Sequence, residues 1–559
     1  MSAPRDLENL EQVCSLDIHR VQSSRLRNEG LPEEDELRVG IESKIEVDEA
    51  ARKQRVISFS PGDPENPHNW SSGKKWFITA SGILAVTNST FASSLPSGAL
   101  PFIQKDLDVE RVEVAVLTIS VFLLGYFFGP ILFAPYSEWA GRRTVTLVAF
   151  GWFVIGSICC AVAPNIEALL VFRFLTGMGA SAPMSVTGGV LADIWHEPEQ
   201  RGRTMAVFSA VTMIGPTLSP VIGGFVSNSR LGWRMVFWIE VIVSALSFIP
   251  LTFCPETFAP ILLLRKARRL RSQGATGLIA PLELEDRSFK SSLKTTLSRP
   301  FRMFFFEAVV LLVSIFLSFV YGVFYLFFQS YPLIYEGIYH FGPGISGLPF
   351  IPVGVGGGLA YFAVLIWDAH LRKLTARGET FSAEYRRLPL ACIAGPIYVI
   401  SMFWQAWTVR ADIHYLVPIA AGVPFGFAFA LLFIALLNYI TDFYEIYAAS
   451  ALAAASMCRS LFGAAFPLFA KHMYKGMGIN WASSFLGMVA ALLTICPFLF
   501  IKYGDAVRRR SRFHRFLQER KEMFELREKE EGEEASTATS RTEHEGAEEI
   551  KDDIEKEGK

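Results

Sequence analysis

The sequence predicts an all-α membrane protein of twelve spans in two six-helix bundles, and three observations carry that prediction. Hydrophobic residues make up 51% of the 559, leaving too little charge to solvate a water-soluble chain of this size. The charges crowd the ends and a few loops, and between them lie apolar runs of about 20 residues, long enough to cross a hydrocarbon core of about 30 Å. The runs come as six, a polar interval of about 48 residues, and six more.

Residues 1–75 are charged and contain PGDPENPHNW, whose Pro, Asn and Asp resist regular structure, so a cytosolic and partly disordered tail is expected. A polar start of this kind predicts no cleavable leader; the first apolar segment would direct insertion. Spans are expected near 76–97, 114–134, 144–163, 166–191, 204–227 and 233–254, forming an N-terminal bundle over 76–254. A second set near 303–328, 345–367, 388–408, 415–440, 446–471 and 482–501 forms a C-terminal bundle over 303–501. The interval 255–302 opens with Arg265, Lys266, Arg268, Arg269 and Arg271, turns acidic and Ser-rich, and reads as a cytosolic linker. The tail from 502 begins with Arg508, Arg509 and Arg510, a basic start suited to anionic lipid.

Lys and Arg set the orientation. One side carries Arg142, Arg143, Arg201, Arg203, the basic linker and a loop with Arg372, Lys373, Arg377, Arg386 and Arg387. The other side has Lys105, Arg111, Arg230, Arg234, Arg410, Lys471 and Lys475, so the first side and both termini are expected in the cytosol of a cell-membrane protein. The net charge of −1 points to no nucleic-acid partner. Cys159, Cys160, Cys254, Cys392, Cys458 and Cys496 lie in or beside apolar runs, and no CxxC or Cys/His spacing calls for a metal or a cofactor.

Between the second and third spans, APYSEWAGRR (134–143) sets Glu138 four residues before Arg142. This short turn suits a cytosolic clamp in which Glu138 pairs with Arg142 or Arg143, or caps a neighbouring helix end. The plain alternative is a basic loop that enforces topology. In the fourth span VFRFLTGMG buries Arg173, where a charge costs several kcal/mol unless paired or wetted. In the fifth, GPTLSPVIGG spaces Gly215, Pro216, Pro220, Gly223 and Gly224 so as to flatten and bend a helix for close packing.

These stretches resemble the major facilitator superfamily. Its loop signature is G-x-x-x-D-x-x-G-R-[RK], here followed through Gly141, Arg142 and Arg143 with Ala134 for the first glycine and Glu138 for the carboxylate. Those two changes resemble the variant of the fungal drug:proton antiporter branch. Arg173 matches that family's fourth-span arginine, which the resemblance links to proton transfer, and GPTLSPVIGG resembles its antiporter motif, with Ser219 at one glycine position. NPHNW, GWRMVFWI, PETFAPILLLRKARRLR and AASALAAASMCRSLFGAAFPLFA extend the likeness over roughly residues 58–510. It implies the twelve-helix major facilitator fold, as in exporters of polyamines, azoles, cycloheximide or secondary metabolites.

Four ionisable residues fall inside expected spans: Arg173, Glu240, Glu307 and Arg459. Arg173 and Glu240 each lie about seven residues, or roughly 10 Å, from the extracellular ends of their helices, so they match in depth. Glu307 lies about 8 Å from the cytosolic end and Arg459 about 20 Å in, so those two do not match. Arg173 with a carboxylate, Glu240 or Glu307, is expected to form a protonation-sensitive element; a structural salt bridge is the alternative. Asp193, at the cytosolic end of the fourth span, is expected to partner Arg142. Arg459 suits packing between the eleventh helix and its neighbours, or the cavity.

The seventh span is rich in aromatic residues, and Tyr325, Gln329, Asn438 and Tyr439 are candidates to line a cavity for a flat, amphipathic small molecule; an interfacial aromatic belt is the alternative. GPGISG at 342–347 has no strand before it and opens a membrane helix, which excludes a dinucleotide site, and no GxxxxGK[ST] stretch suggests ATP-driven pumping. The paired glycines Gly125–Gly129 and Gly354–Gly358 are expected at intramolecular helix contacts, consistent with a monomer.

The expected activity is export of an amphipathic small molecule in exchange for protons. The alternatives are a facilitator or uptake carrier without proton coupling, and a non-transporting sensor. No nucleophile–base pair or histidine box suggests an enzyme, so no catalytic residue is assigned.

Overall fold

A computed structural model describes residues 55–511 apart from 61, 275–277, 284–288, 380–382 and 445–446; most of both expected tails lies outside the described residues. Eleven helices among the described residues are long and apolar enough to cross a membrane. The first helix, α1 (Ser72–Ser94), is of similar length but less apolar, because Ser81, Thr87, Asn88, Ser89, Thr90, Ser93 and Ser94 interrupt it. Several of these hydroxyls bond back to their own helix, Ser81 to Phe77 O at 2.8 Å and Thr87 to Ile83 O at 2.8 Å. That pairing satisfies them without water, so a polar helix can sit inside the bundle.

After α1 the chain makes a 3-10 turn (Leu95–Ala99) and the short α2 (Leu100–Asp106), then α3 (Val112–Ala140), α4 (Arg142–Ala161) and α5 (Ile166–Ile194). The fifth span is broken at Met213 into α6 (Pro198–Thr212) and α7 (Ile214–Ser227), followed by α8 (Arg234–Phe253). The linker contains α9 (Ala259–Ser272) and leads to α10 (Phe289–Phe306) and α11 (Ala308–Tyr335). A 3-10 turn (Ile345–Phe350) precedes α12 (Ile351–Thr375), and α13 (Ala383–Thr408), α14 (Leu416–Ala420), α15 (Gly422–Tyr444), α16 (Ala448–Met477) and α17 (Ile479–Arg510) follow among the described residues.

Helix α3 packs along α5 and also on α16, α11 packs on α16, and α12 packs on α15. Helix α7 touches α1 on one side and the 345–350 turn on the other, so contacts cross between the two expected halves. Gly125 and Gly129 face α5: a methyl group on Gly125 would stand 2.5 Å from Phe174 O, and one on Gly129 2.7 Å from Met178 O. The second expected pair divides. Gly354 faces Thr217 of α7, whereas Gly358 has nothing within 4 Å; the close approach of α12 to α15 falls instead on Gly356 and Gly426.

The linker is more structured than its composition suggests. The apolar face of α9 (Ile261, Leu263, Leu264, Ala267, Leu270) forms a small core with Ile57, Leu278, Ala280 and Leu282. Strand β1 (Arg55–Val56) pairs in parallel with β2 (Leu278–Ile279), and Lys266 reaches Asp63 at 2.5 Å while Arg269 reaches Glu65 at 2.8 Å. The linker's first part is therefore clasped to the stretch that precedes α1.

Candidate transport site

Arg173 is completely buried on α5, and five helices meet around it. Its Nε donates to Thr118 O of α3 at 2.9 Å, and its Nη2 to Ala92 O of α1 at 2.9 Å and to Ser93 O at 3.4 Å. Its Nη1 faces Glu240 Oε2 of α8 at 3.4 Å, and the other carboxylate oxygen accepts from Ser157 Oγ of α4 at 2.7 Å. Phe122 and Phe237 place their rings 4.2 and 5.7 Å from the guanidinium. The Ala92 carbonyl is free for this role because Pro96, four residues on, has no N–H to occupy it. Equal depth in the sequence thus corresponds to an ion pair in the structure.

A polar column runs on from the pair. Ser93, whose carbonyl accepts from Arg173, shares a hydrogen bond through its hydroxyl with Tyr325 OH of α11 at 2.7 Å. Tyr321 OH donates to Tyr325 OH at 3.3 Å. The Arg459 guanidinium of α16 lies 5.0 Å from the Tyr321 ring centre and 5.6 Å from that of Phe433, and its Nη2 donates to Ser456 Oγ at 3.0 Å. Beside the column Ser89 bonds Tyr126 OH and the Ala180 carbonyl.

The remaining candidates scatter. Glu307 is not inside a span: the helix breaks there, Glu307 is the residue before α11, and its Oε2 accepts from Tyr444 OH at 3.0 Å. The uninterrupted apolar flanks hid that break. Tyr439 is buried but packs on Phe443 and Phe500, toward the last helix rather than on the Arg459 cluster. Gln329 and Asn438 are half-buried, and Gln329 Nε2 is among the buried atoms without a hydrogen bond.

The turn between α3 and α4 is a second polar assembly. Gly141 has φ +99°, a conformation L side chains rarely adopt, and a methyl group there would run into the Glu256 carboxylate. Glu256 accepts from the backbone N–H groups of Arg142 at 2.9 Å and Arg143 at 3.2 Å, capping the start of α4 where the helix dipole favours an anion. Arg142 Nε meets Asp193 Oδ2 at 3.4 Å, and Arg143 Nη2 donates to Thr252 O at 3.0 Å. The capping carboxylate is therefore Glu256, which the sequence reading did not single out; its signal was Pro255–Glu256–Thr257 immediately after the sixth span. The Glu138 side chain lies outside the described residues.

The antiporter-like stretch sits where three elements converge. A methyl group on Gly215 would stand 2.5 Å from Thr87 O, Gly223 abuts Leu95 O, and one on Gly224 would stand 2.5 Å from Pro343 O. Pro216 lies at the start of α7 and Pro220 inside it, and Ser219 Oγ donates to Phe91 O of α1 at 2.9 Å. A glycine at 219 would lack that bond.

A family model described as Major Facilitator Superfamily matches residues 82–467. The chain belongs to this superfamily. Within the superfamily it is 37% identical over 469 residues to the "Major facilitator superfamily multidrug transporter mdrA" of Aspergillus fumigatus, covering 82% of this chain and 75% of that protein. It is 38% identical over 468 residues to the "MFS-type efflux pump MFS2" of Trichophyton rubrum, covering 82% and 77%. Among solved structures, the xylose transporter XylE of E. coli, in a partially occluded inward-open conformation, aligns over 77% of this chain and 98% of its own with a TM-score of 0.57. At 18% identity that likeness speaks to the fold alone. The superfamily is one of membrane transporters, and the chain has the major facilitator fold.

Proposed function

We propose that this protein exports an amphipathic small molecule in exchange for protons, with the Arg173–Glu240 pair as the coupling element. The observation that carries the reading is a fully buried ion pair at the meeting of five helices, joined through Ser93 and Tyr325 to the other half of the molecule. A pair so placed is costly as mere structure, because a hydrophobic replacement is often as stable. Its retention makes sense if the carboxylate exchanges the guanidinium for a proton as the bundles over 76–254 and 303–501 rock about a central path. The relatives named as efflux and multidrug transporters favour export over uptake. In this reading both termini are cytosolic, the Arg142–Asp193–Glu256 turn latches the cytosolic side, and the chain works as a monomer in the cell membrane.

The test is growth of pump-deficient yeast expressing the wild type or Arg173→Ala across a panel of toxic compounds, followed by flux in proteoliposomes. Resistance that is lost in a well-expressed variant, and saturable flux that follows an imposed pH gradient, are expected. Saturable flux indifferent to that gradient would reject antiport.

A further inference from the structure

We propose that Arg459 is an anion-binding residue of the transport path, and that the substrate class is a flat, aromatic or conjugated molecule carrying a carboxylate or a comparable delocalised anion. The proposal deepens the export reading and rests on it only for the direction of movement.

The two deeply buried arginines differ in what surrounds them. Arg173 is complete, with a carboxylate and three backbone carbonyls on its guanidinium. Arg459 is 8% exposed, has no carboxylate at ion-pair distance among the described residues, and donates only to the neutral Ser456 hydroxyl; its Nε is buried without a partner. An arginine cannot escape that situation by losing its proton, as a lysine can. A buried and unpaired cation is expensive, which argues that its partner arrives from outside the chain.

The walls say what kind of anion fits. Tyr321 and Phe433 hold the guanidinium by cation–π contact, with ring centres 6.2 Å apart, an aromatic setting that suits an aromatic or conjugated anion over a small hydrated one. One turn further along α16, Gly463 lets the helix approach both Tyr321 and Leu123: a methyl group there would stand 2.8 and 3.1 Å from them. A planar guanidinium donates two parallel hydrogen bonds to a planar carboxylate, a match that a single hydroxyl does not give.

A separate observation lies on the same helix. Lys471, His472 and Lys475 line a surface hollow with Glu113 at the end of α16 remote from the Arg142 turn. They stand roughly 18 to 24 Å along the helix from Arg459 at 1.5 Å per residue. Two lysines against one carboxylate leave this hollow positive, which favours anions there and raises their local concentration.

Equilibrium binding to the purified full chain in micelles at neutral pH tests this with matched probes: 1-naphthoate, 2-naphthoate and 1-pyrenecarboxylate, each beside its uncharged amide. At least one carboxylate is expected to bind tenfold or more tightly than its amide. Arg459→Gln is expected to abolish that preference while changing amide affinity less than twofold. Arg459→Lys, which keeps the charge but loses the fork, is expected to retain part of it and serves if the first variant fails to fold. The proposal is overturned if no carboxylate outbinds its amide, if none binds at all, or if the preference survives in either variant undiminished. The two readings separate cleanly. Saturable, Arg459-dependent carboxylate flux that runs inward or ignores an imposed pH gradient would sink proton-driven export alone; export of uncharged compounds, undiminished in Arg459→Gln and unaccompanied by carboxylate preference, would sink this proposal alone.

Discussion

Glu240→Gln should cost more stability than Arg173→Met, and the reason lies in which partner is left behind. At 3.4 Å the pair attracts by about 5 kcal/mol for an effective dielectric near 20. Glutamine keeps the shape but removes the charge, leaving a guanidinium with dipoles and the Phe122 and Phe237 rings around it but no anion. Breaking a buried pair this way costs about 3–5 kcal/mol. In Arg173→Met the stranded carboxylate keeps its Ser157 bond and can be neutralised by a proton from solution, so a smaller loss is expected. The double variant Arg173→Met/Glu240→Gln should lie within about 2 kcal/mol of the wild type, because both charges leave together. Unfolding by SDS titration of the four proteins in mixed micelles measures the cycle. A coupling energy near zero, with the two single losses simply adding, would refute the reasoning and make the pair incidental to the fold.

Three further outcomes follow from the same geometry. Glu256→Ala should lower stability by about 1–2 kcal/mol in the same titration, since two backbone N–H groups at the start of α4 lose their acceptor. Gly356→Ala and Gly358→Ala should act in opposite directions: a methyl group at 356 would stand 2.6 Å from Phe427 N and separate α12 from α15, whereas at 358 it meets nothing and the better helix propensity adds up to about 1 kcal/mol. Thermal melts of the two variants read the sign directly. Asp106 is held below the usual carboxylate range by hydrogen bonds from Trp233 and Arg234, so its contribution is present above the unfolded-state value near 4 and fades as pH falls through the lower folded value. Asp106→Asn should flatten the acid side of the melting-temperature profile, by less than about 1 kcal/mol because the pair is half-exposed.

The membrane-helix reading was legible because run length answers directly to bilayer thickness, and because depth along a helix is simple counting. Arg173 and Glu240 could be matched on depth although 67 residues separate them. Other features needed the third dimension. Glu256 lies 114 residues from the Arg142 amide it caps, and Ser93 lies 232 from Tyr325, with no local pattern linking either pair. Glu307 misled because Phe304–Phe306 and Ala308–Val310 read as one apolar run, and hydropathy does not register a backbone turn. Helix α1 falls short of the apolar criterion for the opposite reason: its hydroxyls are paid off internally by carbonyls of the preceding turn, a bond that a transfer scale does not count.

The clasp between the stretch before α1 and the residues after α8 also leaves only a short tether between Glu283 and α10. With Leu278–Glu283 held against α9, only six residue steps remain from Glu283 to the first residue of α10, Phe289. At about 3.6 Å per residue such a tether reaches no more than about 22 Å. While the clasp holds, that length caps how far the start of α10 can swing from Glu283, so the proposed rocking would be limited in amplitude by a hydrogen-bonded clip as well as by helix packing.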